Sequence, residues 1–141
     1  MLRKASAEWN GTIKEGGGRI TTESGVLADT QYSFSTRFED GIGTNPEELI
    51  AAAHAGCFSM ALSGQLTNAG FTPASINTTA AVRLEKLESG FAVTKVHLEV
   101  TANVPVATED DFQTCAANAK AGCPISKLLN AEITMDAKLV S

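Results

Sequence analysis

A stretch without charge is the feature that most constrains this sequence, because no Asp, Glu, Lys or Arg occurs from Leu49 to Val82. Its first part, Leu49–Leu62, is apolar on nearly all sides of a helix, which is typical of a helix buried on most sides. This part is shorter than the roughly 20 residues that span a bilayer, and it contains His54, Gly56 and Ser59. We therefore expect a buried central helix, and we expect a second subunit to cover what one small chain cannot.

Composition and charge limit the classes of protein to which this chain can belong. The chain has 141 residues, 43% hydrophobic and 19% charged, which fits one globular domain over residues 1–141 and excludes collagen-like and disordered classes. A formal charge of −5 without any basic run argues against nucleic acid. The N-terminal sequence does not read as a signal peptide, and three cysteines fit a reducing compartment. We expect a cytoplasmic protein that binds neither nucleic acid nor membrane.

The segment before the charge-free stretch predicts a small β-meander. Glycine-rich turns divide residues 5–38 into three strand-like segments. In the third, alternation places Phe34 and Phe38 on one face and Arg37 on the opposite face. Asn45 then caps the long helix, which Pro46 opens at its first position and which fades around residue 68.

After the long helix, the pattern predicts a hairpin, two further helices and a last strand. Alternating apolar residues over 76–104 change parity near Thr94, which predicts a β-bulge there. Thr108 caps the second helix, Cys123 precedes a short third one, and residues 133–139 alternate as a strand. The order predicts an α+β fold with an N-terminal meander, a central helix and further antiparallel strands.

Each of the three cysteines has a structural and a chemical interpretation. Cys57 lies in the apolar helix, where burial alone raises the pKa of a thiol, so reactivity there requires a cation. Cys123 precedes Pro124 at the start of a short helix, where free N–H groups favour a thiolate. Cys115 lies within a helix without such a feature and is predicted to be structural. The spacing of the cysteines and histidines contains no metal-binding unit, so we expect neither a metal nor another cofactor.

Two other functions stay open from the residues alone. His54 lies one helical turn before Cys57, which allows a thiol hydrolase that uses a Cys–His pair. A non-catalytic dimer that binds apolar ligands, with the cysteines as core residues, is the second alternative. By themselves, Arg37 and Glu47 are typical of a solvated surface residue and of an acid in a first helical turn.

Two segments of the sequence resemble a known family. They are Gly43–Leu62, which contains Ala-His-Ala-Gly-Cys-Phe, and Ala119–Ser126, which contains Gly-Cys-Pro-Ile-Ser. Both are similar to segments of the OsmC/Ohr family, the osmotically inducible and organic-hydroperoxide-resistance proteins. The likeness extends over nearly the whole chain. An arginine just before the long helix, in Thr36-Arg-Phe38, resembles the osmotically inducible branch.

The resemblance implies an OsmC-like fold, an intertwined homodimer and a thiol-dependent peroxidase that acts on organic hydroperoxides. Cys57 matches the family's peroxidatic cysteine and Cys123 its resolving cysteine, while Arg37 and Glu47 match the pair that holds the reactive thiolate. The implied cycle passes through a sulfenic acid and a Cys57–Cys123 disulfide, which an external dithiol, such as a lipoylated protein, reduces.

Helix geometry adds an expectation about the dimer. Glu47 and Cys57 are ten residues apart, so on one straight helix they lie about 15 Å apart along its axis. A carboxylate at that distance cannot support a guanidinium that serves the same chain's thiolate. Unless the helix breaks near Gly56, the Glu47 that supports a given Cys57 must therefore belong to the second subunit.

Overall fold

The computed structural model describes residues 1–140. The chain divides into two compact units, Met1–Leu49 and a second unit that begins at Ile50. The first unit holds three strands and a short helix, and the second holds three strands and two helices. One long helix begins in the first unit and continues into the second. These elements confirm the α+β class, whereas the single domain over residues 1–141 stays a prediction.

The three strands of the first unit form the predicted meander. They are β1 (Ala5–Asn10), β2 (Gly17–Thr22) and β3 (Thr30–Tyr32), and they pair antiparallel in the order β1-β2-β3. Gly18 of β2 lies where any side chain would overlap the rings of Trp9 and Tyr32. The absence of a side chain at Gly18 therefore lets these two rings approach to 5.5 Å between centroids.

The third strand ends earlier than predicted, because Phe34–Phe38 forms a short helix, α1. The N–H of Thr36 donates to Ser33 Oγ, and the N–H of Ser33 donates to Thr36 Oγ1 at 2.7 Å. This reciprocal capping box begins a helix where apolar alternation predicts a strand. The strand prediction for Phe34–Phe38 is therefore wrong, and Arg37 lies on α1.

The long helix α2 (Pro46–Asn68) begins where the sequence predicts it. Asn45 Oδ1 accepts the N–H of Glu48 at 2.7 Å, which confirms the N-cap. Burial differs from the prediction, since one chain buries a single face of α2 and leaves Met60 80% exposed on another. The buried residues follow one another at intervals of four: His54, Phe58, Leu62 and Leu66. Packing within one chain therefore covers only this stripe.

α2 is longer than the apolar segment Leu49–Leu62 from which the helix is predicted. Polar residues continue the helix to Asn68. By length and composition alone, a helix of 23 residues of this hydropathy could cross a bilayer. The core helix of a soluble protein passes the same test. In this fold, Phe58, Leu62 and Leu66 pack into a hydrophobic core cluster.

The hairpin of the second unit consists of β4 (Ser75–Leu87) and β5 (Gly90–Asn103). Their antiparallel register shifts at one point, because Arg83 lies opposite Lys95 and Leu84 lies opposite Val93. Thr94 is thus the extra residue on β5, which confirms the predicted bulge.

The remaining elements are α3 (Glu109–Gly122), α4 (Pro124–Leu128) and β6 (Glu132–Leu139). Thr108 Oγ1 caps α3 by accepting the N–H of Asp111. β6 joins the sheet beside β5, but it runs parallel to it, so the expectation of only antiparallel strands is wrong here. Two helices separate β5 from β6, and such a crossover returns the chain in its original direction.

The core of the second unit lies where α2 and α3 pack on the strand β5. Cys115 belongs to it at 6% exposure, and its structural role stays a prediction. The other buried members are Phe58, Leu62, Leu66, Val96, Leu98, Val100, Ala102, Val104, Phe112, Ala116 and Ala119.

Replacement of a core aromatic residue should therefore destabilise the second unit. We expect Phe112→Ala to lower the free energy of unfolding by about 3–5 kcal/mol, because it removes a fully buried ring and leaves a cavity. Leu128→Ala, at a side chain that is 74% exposed, should change it by less than about 0.5 kcal/mol. Urea unfolding followed by circular dichroism measures both, and equal losses would contradict this core.

Candidate thiol site

The helices α2 and α4 bring two of the three cysteines together. Sγ of Cys57 and Sγ of Cys123 lie 2.8 Å apart, and both thiols are free. Cys57 is half-buried in the middle of α2, whereas Cys123 is fully buried at the N-cap of α4. A disulfide bond is about 2.05 Å long, so only a small approach separates this contact from a covalent bond.

The surroundings of the two thiols favour different protonation states. Burial raises the pKa of Cys57, and its hydrogen bond with Cys123 raises it further. Burial also acts to raise the pKa of Cys123, but hydrogen bonds from Cys57, from the N–H groups of Ser126 and Ile125, and from the Ser126 hydroxyl lower it overall. Within residues 50–140, the groups that act on Cys57 include no cation. Ionisation of Cys57 therefore requires a positive charge from elsewhere.

The buried histidine of α2 does not serve Cys57 as a base. His54 is fully buried, and its Nε2 lies 2.8 Å from Oγ of Ser126 on α4. Burial lowers the pKa of His54 and favours the neutral ring. Among residues 1–140, the ring of His54 makes its hydrogen bond with Ser126 and none with Cys57, so this geometry does not favour the Cys–His pair of a thiol hydrolase.

In the first unit, the other two predicted site residues form an ion pair. Arg37 Nε donates to Glu47 Oε1 at 2.7 Å, with side-chain exposures of 37% and 13%. Asn45 Nδ2 donates to the carbonyl oxygen of Thr36 at 3.0 Å, which ties α1 to the start of α2. The guanidinium carbon of Arg37 also lies 5.4 Å from the centroid of the Phe38 ring. Arg37 is therefore oriented by its neighbours, unlike a freely solvated surface residue.

An apolar pocket adjoins this ion pair within the first unit. It measures about 180 Å³, and the rings of Phe34 and Phe38 pack in its wall at a tilt of 46°, with 4.9 Å between their centroids. Sequence reasoning missed it, because the predicted strand separates Arg37 from Phe34 and Phe38, whereas the helix α1 lets all three line one pocket. The lining residues are Trp9, Ile13, Tyr32, Ser33, Phe34, Arg37 and Phe38.

One group of metal-ligating side chains occurs among residues 1–140. His97 and Glu99 of β5 and Asp136 of β6 place ligand atoms within 4.8 Å of one another on an exposed sheet face. His97 Nε2 lies 3.2 Å from Asp136 Oδ2, and Nδ1 lies 2.6 Å from Thr134 Oγ1. Spacing along the sequence could not reveal this group, because the pairing of β5 with β6 brings it together.

Comparison with known proteins identifies the class and then the family. Among solved structures, the fold is similar to OhrB of Bacillus subtilis, an organic hydroperoxide resistance protein, with a TM-score of 0.71 and 27% identity over 96% of this chain and 98% of that one. An OsmC-like protein from Mycoplasma pneumoniae shares the fold with a TM-score of 0.77, at 11% identity over 100% and 99%. The family model "OsmC-like protein" matches residues 39–138. Peroxiredoxin OsmC of Escherichia coli (strain K12) is 55% identical over 99% of this chain and 97% of that protein. The chain belongs to the OsmC-like family, as its sequence motifs predict.

The short contact between two free thiols predicts their cross-linking. We expect diamide, a mild thiol oxidant, to produce a Cys57–Cys123 disulfide because the sulfurs already lie 2.8 Å apart. Peptide mapping after alkylation measures the pairing. Cys115→Ser should leave it unchanged, and a disulfide that contains Cys115 would contradict the observed geometry.

Proposed function

We propose that this chain is a metal-free, cysteine-based peroxidase that reduces organic hydroperoxides to alcohols. Family membership and the name of the 55% identical relative support a peroxide-related redox function. The observation that carries the mechanism is the 2.8 Å contact between the free thiols of Cys57 and Cys123. In this proposal, Cys57 reacts with the peroxide and Cys123 resolves the product.

The cycle consists of three balanced steps. The Cys57 thiolate attacks one oxygen of ROOH, the O–O bond breaks, and the alkoxide leaves as ROH after it takes up a proton, which gives Cys57–SOH. The Cys123 thiolate then attacks the Cys57 sulfur, the disulfide forms as the S–O bond breaks, and the hydroxide that leaves takes up a proton to become water. An external dithiol, such as a lipoylated protein, reduces the disulfide by two exchange steps. Free thiols of this kind persist in a reducing compartment, which is why we place the protein in the cytoplasm.

Arg37 and Glu47 supply the charge that Cys57 needs. The carboxylate of Glu47 holds Nε of Arg37, which leaves the terminal N–H groups of the guanidinium available to a thiolate or a peroxide oxygen. α2 is one unbroken helix from Pro46 to Asn68, so the rise from Glu47 to Cys57 is about 15 Å. The Arg37–Glu47 pair that serves a given Cys57 is therefore the partner's, and the active form is a homodimer.

The same dimer accounts for the exposed part of α2. Met60 is 80% exposed, and small or apolar residues surround it on the helix. Burial of this apolar face between two copies removes it from water, which favours association. The dimer thus completes the active site and covers the face of α2 that one chain leaves exposed.

The pocket beside Arg37 supports an organic substrate. Its aromatic wall offers burial to an alkyl or aryl group, whereas hydrogen peroxide has no apolar part to bury. A bound hydroperoxide with its hydrocarbon group among Trp9, Phe34 and Phe38 would present its O–O bond to the guanidinium. The pocket alone would equally suit a non-catalytic binder of apolar ligands, which consumes no peroxide.

Replacement of each cysteine separates these roles. With cumene hydroperoxide and a dithiol, we expect Cys57→Ser to consume no peroxide, because it removes the attacking sulfur. Cys123→Ser should consume about one equivalent and then stall or over-oxidise, and Cys115→Ser should resemble the wild type. Peroxide loss over time measures all three. A folded Cys115→Ser that is inactive, or a wild type that consumes no peroxide, would contradict the proposal.

A mixing experiment tests the shared active site. Arg37→Met keeps the bulk and removes the cation, so the pKa of Cys57 should rise and the rate with peroxide should fall steeply. Cys57→Ser should be inactive for a different reason, because it removes the attacking sulfur. When equal amounts of the two variants are refolded together, half of the dimers are mixed, and each contains one site with both Cys57 and Arg37. About a quarter of the wild-type activity should therefore return.

The two inactive variants mixed without refolding serve as the control. No recovery after refolding, with mixed dimers verified by mass spectrometry of the native protein, would show that Arg37 acts within its own chain. A rate–pH profile of Arg37→Met that equals that of the wild type would exclude Arg37 from the site.

A further inference from the structure

Two contacts of equal length join α2 to α4. His54 Nε2 lies 2.8 Å from Ser126 Oγ, and Cys57 Sγ lies 2.8 Å from Cys123 Sγ. The partners are three residues apart on each helix, so each pair occupies one helical face. The peroxidase cycle uses the second contact and leaves the first without a role.

The first contact is unusual because His54 is fully buried and its Nδ1 has no hydrogen-bond partner in the structure of residues 1–140. A neutral ring carries one N–H, and an orphaned buried N–H is rarer than an orphaned acceptor. The proton therefore belongs on Nε2, where it is donated to Ser126 Oγ. The hydroxyl of Ser126 then keeps its own proton for another acceptor.

Ser126 lies one helical turn after Cys123, since Cys123 is the N-cap of α4 and Ser126 is its N3 residue. The hydrogen bond between Ser126 and His54 therefore ties the turn that carries Cys123 to α2, next to the contact of Cys123 with Cys57. The Ser126 hydroxyl also acts to lower the pKa of Cys123.

We propose that His54 and Ser126 are positioning residues for the resolving cysteine, and that they hold the Cys123 thiolate in place to attack Cys57. This inference rests on the proposed function and assigns a role to two residues outside the four that match the family pattern. It concerns the second step only, in which a bond forms between the two sulfurs and the hydroxyl group of Cys57–SOH leaves as water. The first step, at Cys57 and the peroxide, does not involve the pair.

The test separates the two steps in Ser126→Ala. After one equivalent of cumene hydroperoxide, rapid quenching and mass spectrometry give the rates of Cys57–SOH formation and disulfide formation. We expect the first rate to match the wild type and the second to fall at least about tenfold, since displacement of a reacting group by about 1 Å can cost about 100-fold. At excess peroxide, the sulfinic acid of Cys57 should accumulate. Ser126→Thr, which keeps a hydroxyl, should restore the second rate.

The chain offers a matched control on α2. Ser59 Oγ lies 2.7 Å from Thr78 Oγ1 of β4, so Ser59→Ala removes a hydrogen bond of similar length near Cys57 that does not involve α4. It should leave both rates unchanged. Equal effects of Ser59→Ala and Ser126→Ala, or an unchanged second rate in Ser126→Ala, would overturn the positioning role.

Ser126→Ala leaves Nε2 of His54 buried without an acceptor and can therefore destabilise the fold. A second variant separates this effect from the positioning role. The double variant His54→Leu, Ser126→Ala removes both polar partners, which is far less costly than removal of one. It should also form the disulfide slowly while it unfolds at a urea concentration near that of the wild type. A wild-type second rate in the folded double variant would overturn the proposal.

Equilibration with glutathione distinguishes this inference from the proposed function, since it needs no peroxide. The fraction of Cys57–Cys123 disulfide in buffers of reduced and oxidised glutathione gives the effective concentration of the two thiols. We expect this concentration to fall at least about tenfold in Ser126→Ala and to stay constant in Ser59→Ala. A wild type without peroxidase activity would contradict the proposed function alone, and an unchanged glutathione equilibrium would contradict the positioning role alone.

Discussion

The packing of α2 on the second sheet is the constraint on which the thiol site depends. Phe58 and Leu62 are fully buried in the core, and they fix the rotation of the helix about its axis. Cys57 precedes Phe58 directly and therefore lies at the edge of the buried stripe, half-exposed and facing the N-cap of α4. A different rotation of α2 would bury Cys57 completely or move it away from Cys123. The hydrophobic effect thus sets the geometry of the two thiols.

In that arrangement, one thiol is accessible and the other ionises more readily. Cys57 is accessible, but burial raises its pKa, whereas Cys123 has a lowered pKa and is fully buried. Neither of these two sulfurs is both exposed and readily ionised. The proposed dimer resolves this division, because in it the partner's Arg37 favours the thiolate of the accessible sulfur.

The sequence predicts those features that depend on neighbours along the chain. Asn45 caps α2, and the parity change at Thr94 marks the bulge, because each signal lies within a few residues. The strand predicted over Phe34–Phe38 is a helix, since a capping box outweighs apolar alternation in so short a segment. The parallel direction of β6, the aromatic pocket and the contact of His54 with Ser126 depend on long-range packing, which one sequence does not display. The pairing of Cys57 with Cys123 came from family resemblance and not from spacing.

The two contacts between α2 and α4 also explain why a small helix suffices to hold Cys123. α4 has only five residues, so its own hydrogen bonds stabilise it little. The buried bond between His54 and Ser126 ties it to a helix of 23 residues that is anchored in the core. When Cys57 and Cys123 join, their sulfurs must approach from 2.8 Å to about 2.05 Å, and this movement is small enough for α4 to make without breaking that bond. In the proposed cycle, a short, tethered helix can therefore form and release the disulfide while the core stays unchanged.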